Sequence, residues 1–382
     1  HQLGADDGPQ ARDTLRQGIV SVLAVSMVLS LTALAVSPFL PVWLGGNADI
    51  NASASAYFAI IAMGIPAFQF SIFGSGMLRS SGNMVIPSIM SVVMMSLDVV
   101  FNVFLIFPTR TVSILGTAFT MPGAGLSVEG AAIGTVSAEC IAASITMYLL
   151  CFRRGELSLR RRPGRFRPTR RVLGKALHIS LPMGLQQGIM CSAYVATTLI
   201  IAPLDTFAIA ANSFGIIIES LCYMPGYGIA DAATTLVGQS LGAARHELMK
   251  RFAWLSVLLG MAVMAVMGVV MYVGAPFAMS LMTPVSEVRS LGAGILRIEA
   301  FAEPMFAAAI VSYGVFVGAA QTLVPSLMNL ASMWGVRITL AALLAPTMGL
   351  RGVWLAMCIE LCFRGFIFLM RLRFWRSGRS KG

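Results

Sequence analysis

The stretch His1–Arg12, HQLGADDGPQAR, is echoed far down the chain by residues 238–250, GQSLGAARHELMK. Sliding the chain on itself by 238 residues lays Leu3-Gly4-Ala5 on Leu241-Gly242-Ala243, Pro66 on Pro304, Gly76 on Gly314 and Pro87 on Pro325. The register then slips by 16, because the loop 108–126 is longer than its counterpart, and GAAIGT (130–135) falls on GVWLAM from Gly352. Single matches of Gly or Pro mean little. A set of them at one offset, each at the same place relative to an apolar run, marks an internal duplication.

What is duplicated is a set of membrane helices. Apolar residues make up 57% of the 382 residues and charged ones 11%, against about a quarter charged in soluble domains. Runs such as 19–44 and 252–274 exceed the roughly 20 residues a helix needs to cross a bilayer. Gly, Pro and charge punctuate ten predicted helices, near 17–39, 54–78, 85–107, 127–151, 176–203, 206–238, 250–273, 285–316, 323–346 and 350–373. Pro66, Pro182 and Pro304 fall inside them, where membrane helices tolerate kinks.

Two of these helices precede GQSLGA, whereas none precedes HQLGA. By symmetry the first two helices are expected to be missing, on the order of 65 residues. The fold class is therefore all-α and polytopic, with two six-helix bundles in parallel repeat and ten of the transmembrane helices present. The bundles are placed at 1–152 and 176–382, joined by a basic linker at 153–175.

Charge gives the orientation. Loops on the first side, including both visible ends, hold 21 of the 27 Lys and Arg residues. Positive loops stay inside, so both ends are expected in the cytoplasm of a cell-membrane protein. Most of the net +11 comes from residues 151–175, CFRRGELSLRRRPGRFRPTRRVLGK, read as a loop against anionic headgroups and not as a nucleic-acid patch. The chain has no Walker-type phosphate loop, no second His after HELMK to complete a zinc motif, and no C-x-x-C pair among six cysteines. No cofactor or metal is expected.

Charges inside membrane helices are costly and mark candidate sites. Asp98 and Asn102 lie four apart on one predicted helix and so share a face. Such a carboxylate and amide suit proton uptake or sodium coordination. Glu219 and Glu303 are intramembrane carboxylates of the second half. Glu360 and Arg364, again four apart, are expected to form a structural ion pair. Arg297 and Arg337 are read as further ion-pairing cations, with Glu303 as the alternative partner for either. Gly4, Gly242, Pro87 and Pro325 sit in repeated loops and are read as shaping a gate. The 25 methionines suit either packing or a surface for varied apolar ligands.

Several stretches together resemble the multidrug and toxic compound extrusion (MATE) transporters, most closely their DinF-like branch: YMPGYGIADAATTLVGQSLGA (223–243), GMLRSSGNMVIP (76–87), LDVVFNVFLIF (97–107), VEGAAIGTVS (128–137) and MWGVRITLAALLAPTMGLRGVW (333–354). The resemblance implies a non-enzymatic antiporter that exports small organic compounds against a coupling cation, H+ or Na+, as a monomer in the bilayer. It matches Thr135 to a family threonine, and the family's Asn-x-x-x-Asp reads here in reverse order as Asp98-x-x-x-Asn102. Where many relatives carry a cation-binding Glu, this chain offers Gln186 and Gln187, and an amide cannot carry a proton. Glu219 or Glu303 is the expected substitute. A lipid-linked oligosaccharide flippase of the same plan and a membrane-embedded enzyme are the alternatives. The first calls for a strongly cationic helix lining, where this sequence offers only Arg297, Arg337 and Arg364 within helices, and the second for an Asp-rich motif for diphosphate-bound magnesium, which the sequence lacks.

Overall fold

The computed structural model describes residues 1–43, 48–114, 117–153, 157–159, 164 and 166–375. Of the basic segments, Arg154, Arg160, Arg161, Arg162, Arg165, Arg376, Arg379 and Lys381 lie outside the described residues. The chain divides into two compact units, one of Asp6–Leu173 with Gln2, the other of Gly174–Gly382 with His1 and Leu3–Ala5.

The first unit contains α1 (Gly8–Val36), α2 (Leu40–Trp43), α3 (Ala48–Ser80), α4 (Val85–Leu105) and α5 (Ser127–Phe152). Asp7 starts α1 by accepting a hydrogen bond from the Gln10 amide at 3.0 Å, with Pro9 in the first turn where its missing N–H costs nothing. α3 packs on both α1 and α5, and α4 on α5. Ser30 Oγ donates to the Ala62 carbonyl (2.7 Å) and Ser37 Oγ to the Ser55 carbonyl (2.8 Å), stitching α1 to α3 where no water can compete. Between α4 and α5 the long loop is an antiparallel hairpin, β1 (Pro108–Ile114) with β2 (Thr117–Ala124), an appendage to an otherwise helical chain.

The second unit is built from α6 (Arg170–Ile201), α7 (Thr206–Gly242), α8 (His246–Met282), α9 (Ser286–Glu299), α10 (Glu303–Gly318), α11 (Leu323–Ser332), a π-helical turn (Met333–Ile338), α12 (Thr339–Met348) and α13 (Leu350–Arg373). Among the described residues nine helical stretches are long and apolar enough to cross a bilayer, with α11 to α12 counted as one. α9 and α10, bent by 58° at a short break, make the tenth. The break falls at residues 300–302, directly ahead of Pro304, whose ring forbids the hydrogen bond to the carbonyl of Ala300. Pro66 and Pro182 instead stay inside unbroken helices, as do Pro225, Pro276 and Pro346.

α10 is the core of this unit, buried on nearly all sides against α7, α8 and α13. Its approach to α7 is set by small residues. A Cβ added at Gly314 would lie 2.6 Å from the Ala230 carbonyl oxygen, and Thr234 Oγ1 donates to the Gly314 carbonyl at 2.8 Å. Gly314→Ala is therefore expected to lower the apparent melting temperature of the detergent-solubilised protein, at an overpacking cost of about 1–3 kcal/mol. A variant that melts with the parent would show that the two helices can separate freely.

The repeat is visible in backbone geometry as well as in letters. Asp6 and Ala244, 238 apart, both take positive φ (55° and 56°), as do Gly82 and Ala320 (83° and 59°). The closing hydrogen bonds match at the same offset: Asp7 N–H to Gln2 and Arg245 N–H to Ser240, then Asn83 N–H to Leu78 and Gln321 N–H to Phe316. These are left-handed turns that satisfy the last carbonyls of a helical segment. After the 16-residue slip, Ser127 and Gly349 repeat the feature with φ of 51° and 59°.

Candidate functional site

In the first unit the polar constellation spans α4 and α5. Thr135 Oγ1 donates to Asp98 Oδ1 at 2.7 Å, and both residues are half-buried. Asn102 lies one turn along α4, its buried Oδ1 without a hydrogen-bond partner among the described residues. Asp98 and Asn102, paired by their spacing, and Thr135, brought in by the resemblance, are thus on facing helices around one hydrogen bond. One turn beyond Thr135 on α5 is Glu139, 4% exposed. Sequence reasoning passed over Glu139. Its four-residue spacing from Thr135 was the available signal.

Besides Glu360, the described residues of the second unit include three buried carboxylates: Glu219 on α7 (7% exposed), Glu299 at the end of α9 (1%) and Glu303 at the start of α10 (1%). Both oxygens of Glu303, and Oε2 of Glu299, have no hydrogen-bond partner among the described residues. The break before Pro304 is what turns these acids inward, because it places one at each side of a bend. Among the described residues no group of three His, Cys, Asp or Glu is placed to hold a metal ion.

Two adjoining cavities open in this unit. The larger, about 390 Å³, is lined by Gln186, Gln187, Asp231 and Asn329. The smaller, about 180 Å³, is lined by Glu219, Arg337, Asn212 and Trp354. Tyr194, Tyr227, Phe306 and Arg364 contribute to both. Gln186 is held by the Tyr313 hydroxyl, which donates to its Oε1 at 3.0 Å, while Gln187 is exposed to the larger cavity. Tyr223 stands edge-on to Tyr227 and to Phe306, with ring centroids 5.6 Å apart in each pair.

The cations sort into two kinds. Arg364 Nε and Nη2 donate to the two oxygens of Glu360, each at 2.7 Å, and Ser332 Oγ adds a 2.5 Å bond to the same carboxylate. The expectation of ion pairs for Arg297 and Arg337 is corrected: among the described residues neither has a carboxylate within 4.0 Å. Arg297 turns outward from the last turn of α9, donates to the Tyr272 carbonyl at 3.3 Å and lies over the Tyr272 ring. That carbonyl and ring satisfy it away from the inward-facing Glu303. Arg337, carried by the π-helical turn, rests against the thioether sulfurs of Met333 and Met357 and over the Tyr194 ring.

The four residues that the sequence suggests as shaping a gate occupy matched places. Pro87 and Pro325 are each the buried third residue of a helix, α4 and α11. Gly4 abuts the Gln239 backbone and Gly242 the His1 backbone, so close that a side chain on either glycine would collide with a carbonyl. His1 Nε2 is bonded to the Gly318 carbonyl (2.7 Å), which ties these turns to the end of α10.

Comparison with known proteins gives a consistent likeness. The family profile described as MatE matches residues 1–104 and 182–343. A probable multidrug resistance protein NorM of Thermotoga maritima is 26% identical over 338 residues, covering 87% of this chain and 68% of the relative. One of the same name from Idiomarina loihiensis is 26% identical over 383 residues, covering 98% and 79%. Among solved structures, a MATE protein in complex with MaL6 superposes with a TM-score of 0.87 at 19% identity, covering 97% of this chain and 80% of that one. A transporter of the MOP superfamily from Pyrococcus furiosus, described as having a binding pocket of reverse polarity, gives 0.85 at 19% identity with the same coverage.

Proposed function

Because the chain belongs to the MatE family of multidrug and toxic compound extrusion transporters, we propose that it works as a secondary antiporter. In this reading it exports cationic or amphiphilic organic compounds across the cell membrane in exchange for inward H+ or Na+. It is a multi-pass membrane transporter of the multidrug efflux type and not an enzyme. The 1–152 and 176–382 bundles alternate between inward- and outward-open states within a monomer, with both ends of the visible chain in the cytoplasm.

The observation that carries the reading is the Asp98–Thr135 hydrogen bond inside two membrane spans. A carboxylate there accepts a proton or a sodium ion only when its state faces the right side. The hydroxyl ties the carboxylate of α4 to α5, so a change in its occupancy is felt by both helices and is linked to conformation. A proton moved inward through about 100 mV releases roughly 2.3 kcal/mol, enough for an approximately fifty-fold gradient of a neutral substrate. One-for-one exchange with a monovalent cation moves no net charge and gains nothing from the voltage. A second carboxylate site, at Glu219 or Glu303, restores that driving force by admitting a second ion.

The test uses the protein in liposomes with a fluorescent cationic dye outside. An outward H+ gradient or an outward Na+ gradient, imposed separately, is expected to drive dye uptake several-fold above protein-free vesicles in at least one case. Uptake at the protein-free level under both gradients would overturn the coupled-antiport reading.

A further inference from the structure

We propose that the smaller cavity of the second unit is a binding site for an ampholytic small molecule, whose anionic group meets Arg337 and whose basic group meets Glu219. The inference deepens the transport reading by naming a ligand class, and it rests on that reading only for its physiological meaning. Its starting point is a pair of opposite charges that line one cavity without touching. Glu219 and Arg337 both face the space of about 180 Å³, and among the described residues neither has a hydrogen-bonded or ion-paired partner of opposite charge. A carboxylate and a guanidinium that share a cavity inside a membrane span would ordinarily close on each other. Here the gap between them persists.

The surrounding polar groups are already engaged and do not fill that role. Thr197 and Thr198 hydroxyls donate to the Ala193 and Tyr194 carbonyls of their own helix. Asn212 Oδ1 accepts from Trp354 Nε1 at 3.0 Å. Arg364, the other cation on this wall, is neutralised by its two bonds to Glu360. Arg337 is left with two thioether sulfurs, which are weak acceptors, and the face of the Tyr194 ring, and its buried Nε has no partner among the described residues. A guanidinium in that state lacks the planar acceptor that fits it best, a carboxylate or a similar oxyanion.

The body of the ligand is defined by what lies between. Tyr194, Tyr223, Tyr227, Phe306 and Trp354 give the cavity aromatic walls, and the adjoining cavity of about 390 Å³ provides room for a larger apolar part. The site thus suits an aromatic molecule that carries an acid and an amine a few bonds apart. A purely cationic compound would satisfy Glu219 and place its charge beside Arg337, which has no carboxylate within 4.0 Å among the described residues.

Three indole probes that differ only in charge decide the matter: tryptophan, tryptamine and indole-3-propionate, titrated calorimetrically into the purified full chain. Tryptophan is expected to bind at least tenfold more tightly than either analogue. Arg337→Gln should reduce its advantage over tryptamine to less than threefold, whereas Arg337→Lys keeps most of it. Glu219→Gln should erase the advantage over indole-3-propionate. Equal binding of the three probes, tightest binding of tryptamine, no binding of any, or a preference that survives both neutral substitutions would each overturn the proposal. If a variant fails to fold, the ranking of the three probes on the unmodified protein still decides. Dye uptake in liposomes, measured on the same preparations, reports separately on antiport, so failure of one reading does not masquerade as failure of the other.

Discussion

Replacing Asp98 by asparagine is expected to reduce coupled efflux at least tenfold, to the level of cells without the transporter, while protein abundance stays unchanged. The substitution is nearly isosteric, and an asparagine Oδ1 still accepts the hydrogen bond that Thr135 Oγ1 donates at 2.7 Å. What disappears is the charge, and with it the capacity to bind and release a proton or to neutralise a sodium ion. The packing of α4 on α5 is thereby spared. Thr135→Val makes the complementary change: the carboxylate remains and loses one hydroxyl donor. One such bond is worth about 1.5–3 kcal/mol when the acceptor is charged, a factor of roughly 10–150, so a loss of at most that order is expected, with residual efflux instead of abolition. Dye accumulation in cells that express each variant measures both effects. Full efflux by a well-expressed Asp98→Asn protein would remove this residue from coupling and shift attention to Glu219, Glu303 or Glu139.

The spans, the offset between halves and the Asp98–Asn102 face are legible in the letters because each rests on a period. Hydropathy over about 20 residues reports burial in lipid, and a four-residue spacing reports one helix face. The features that escape a sequence reading have no such period. The segment 108–124 reads as a loop but folds as a hairpin, although TRTVSI and TAFT are rich in β-branched and aromatic residues. A two-stranded ribbon outside any core leaves only that weak mark. The repeated left-handed turns use Asp and Ala at one pair, Gly and Ala at the next, Ser and Gly at the third. At the first two pairs the common geometry is set by the end of a helical segment and the hydrogen bonds that close it, and at all three it needs no shared residue.

The partners of Arg297 and Arg337 are illegible for a different reason. A pattern on one helix says which residues share its face and nothing of what the neighbouring helix presents. Arg337 has the further complication of the π-helical turn, which inserts a residue into the local phase and re-aims the side chains beyond Ser332. Glu303 illustrates the mixed case. Its position before Pro304 is evident, whereas the 58° break that buries both of its oxygens depends on how α9 and α10 pack.

Removing Glu360 alone should be the most damaging single change to the stability of the second unit. Glu360 is fully buried, Arg364 is 7% exposed, and the two are joined by a bidentate pair to which Ser332 adds a third bond. Glu360→Leu leaves a guanidinium in the interior with the Phe306 ring beside it and no counter-charge. Breaking such a pair from one side costs about 3–5 kcal/mol, chiefly the penalty of the orphaned charge and not the worth of the lost bond. The same reasoning predicts the rescue. Glu360→Leu combined with Arg364→Met removes both charges and keeps apolar volume, and it should recover most of the lost stability, because a buried ion pair contributes little beyond its hydrophobic replacement. The apparent melting temperature of the detergent-solubilised protein reads out the cycle: a large drop for the single substitution and a small one for the double. Were the double variant to melt as low as the single, the pair would owe its importance to the contact itself. The Ser332 bond gives that alternative a place to act, since it fastens the end of α11, where the π-helical turn that carries Arg337 begins, to α13.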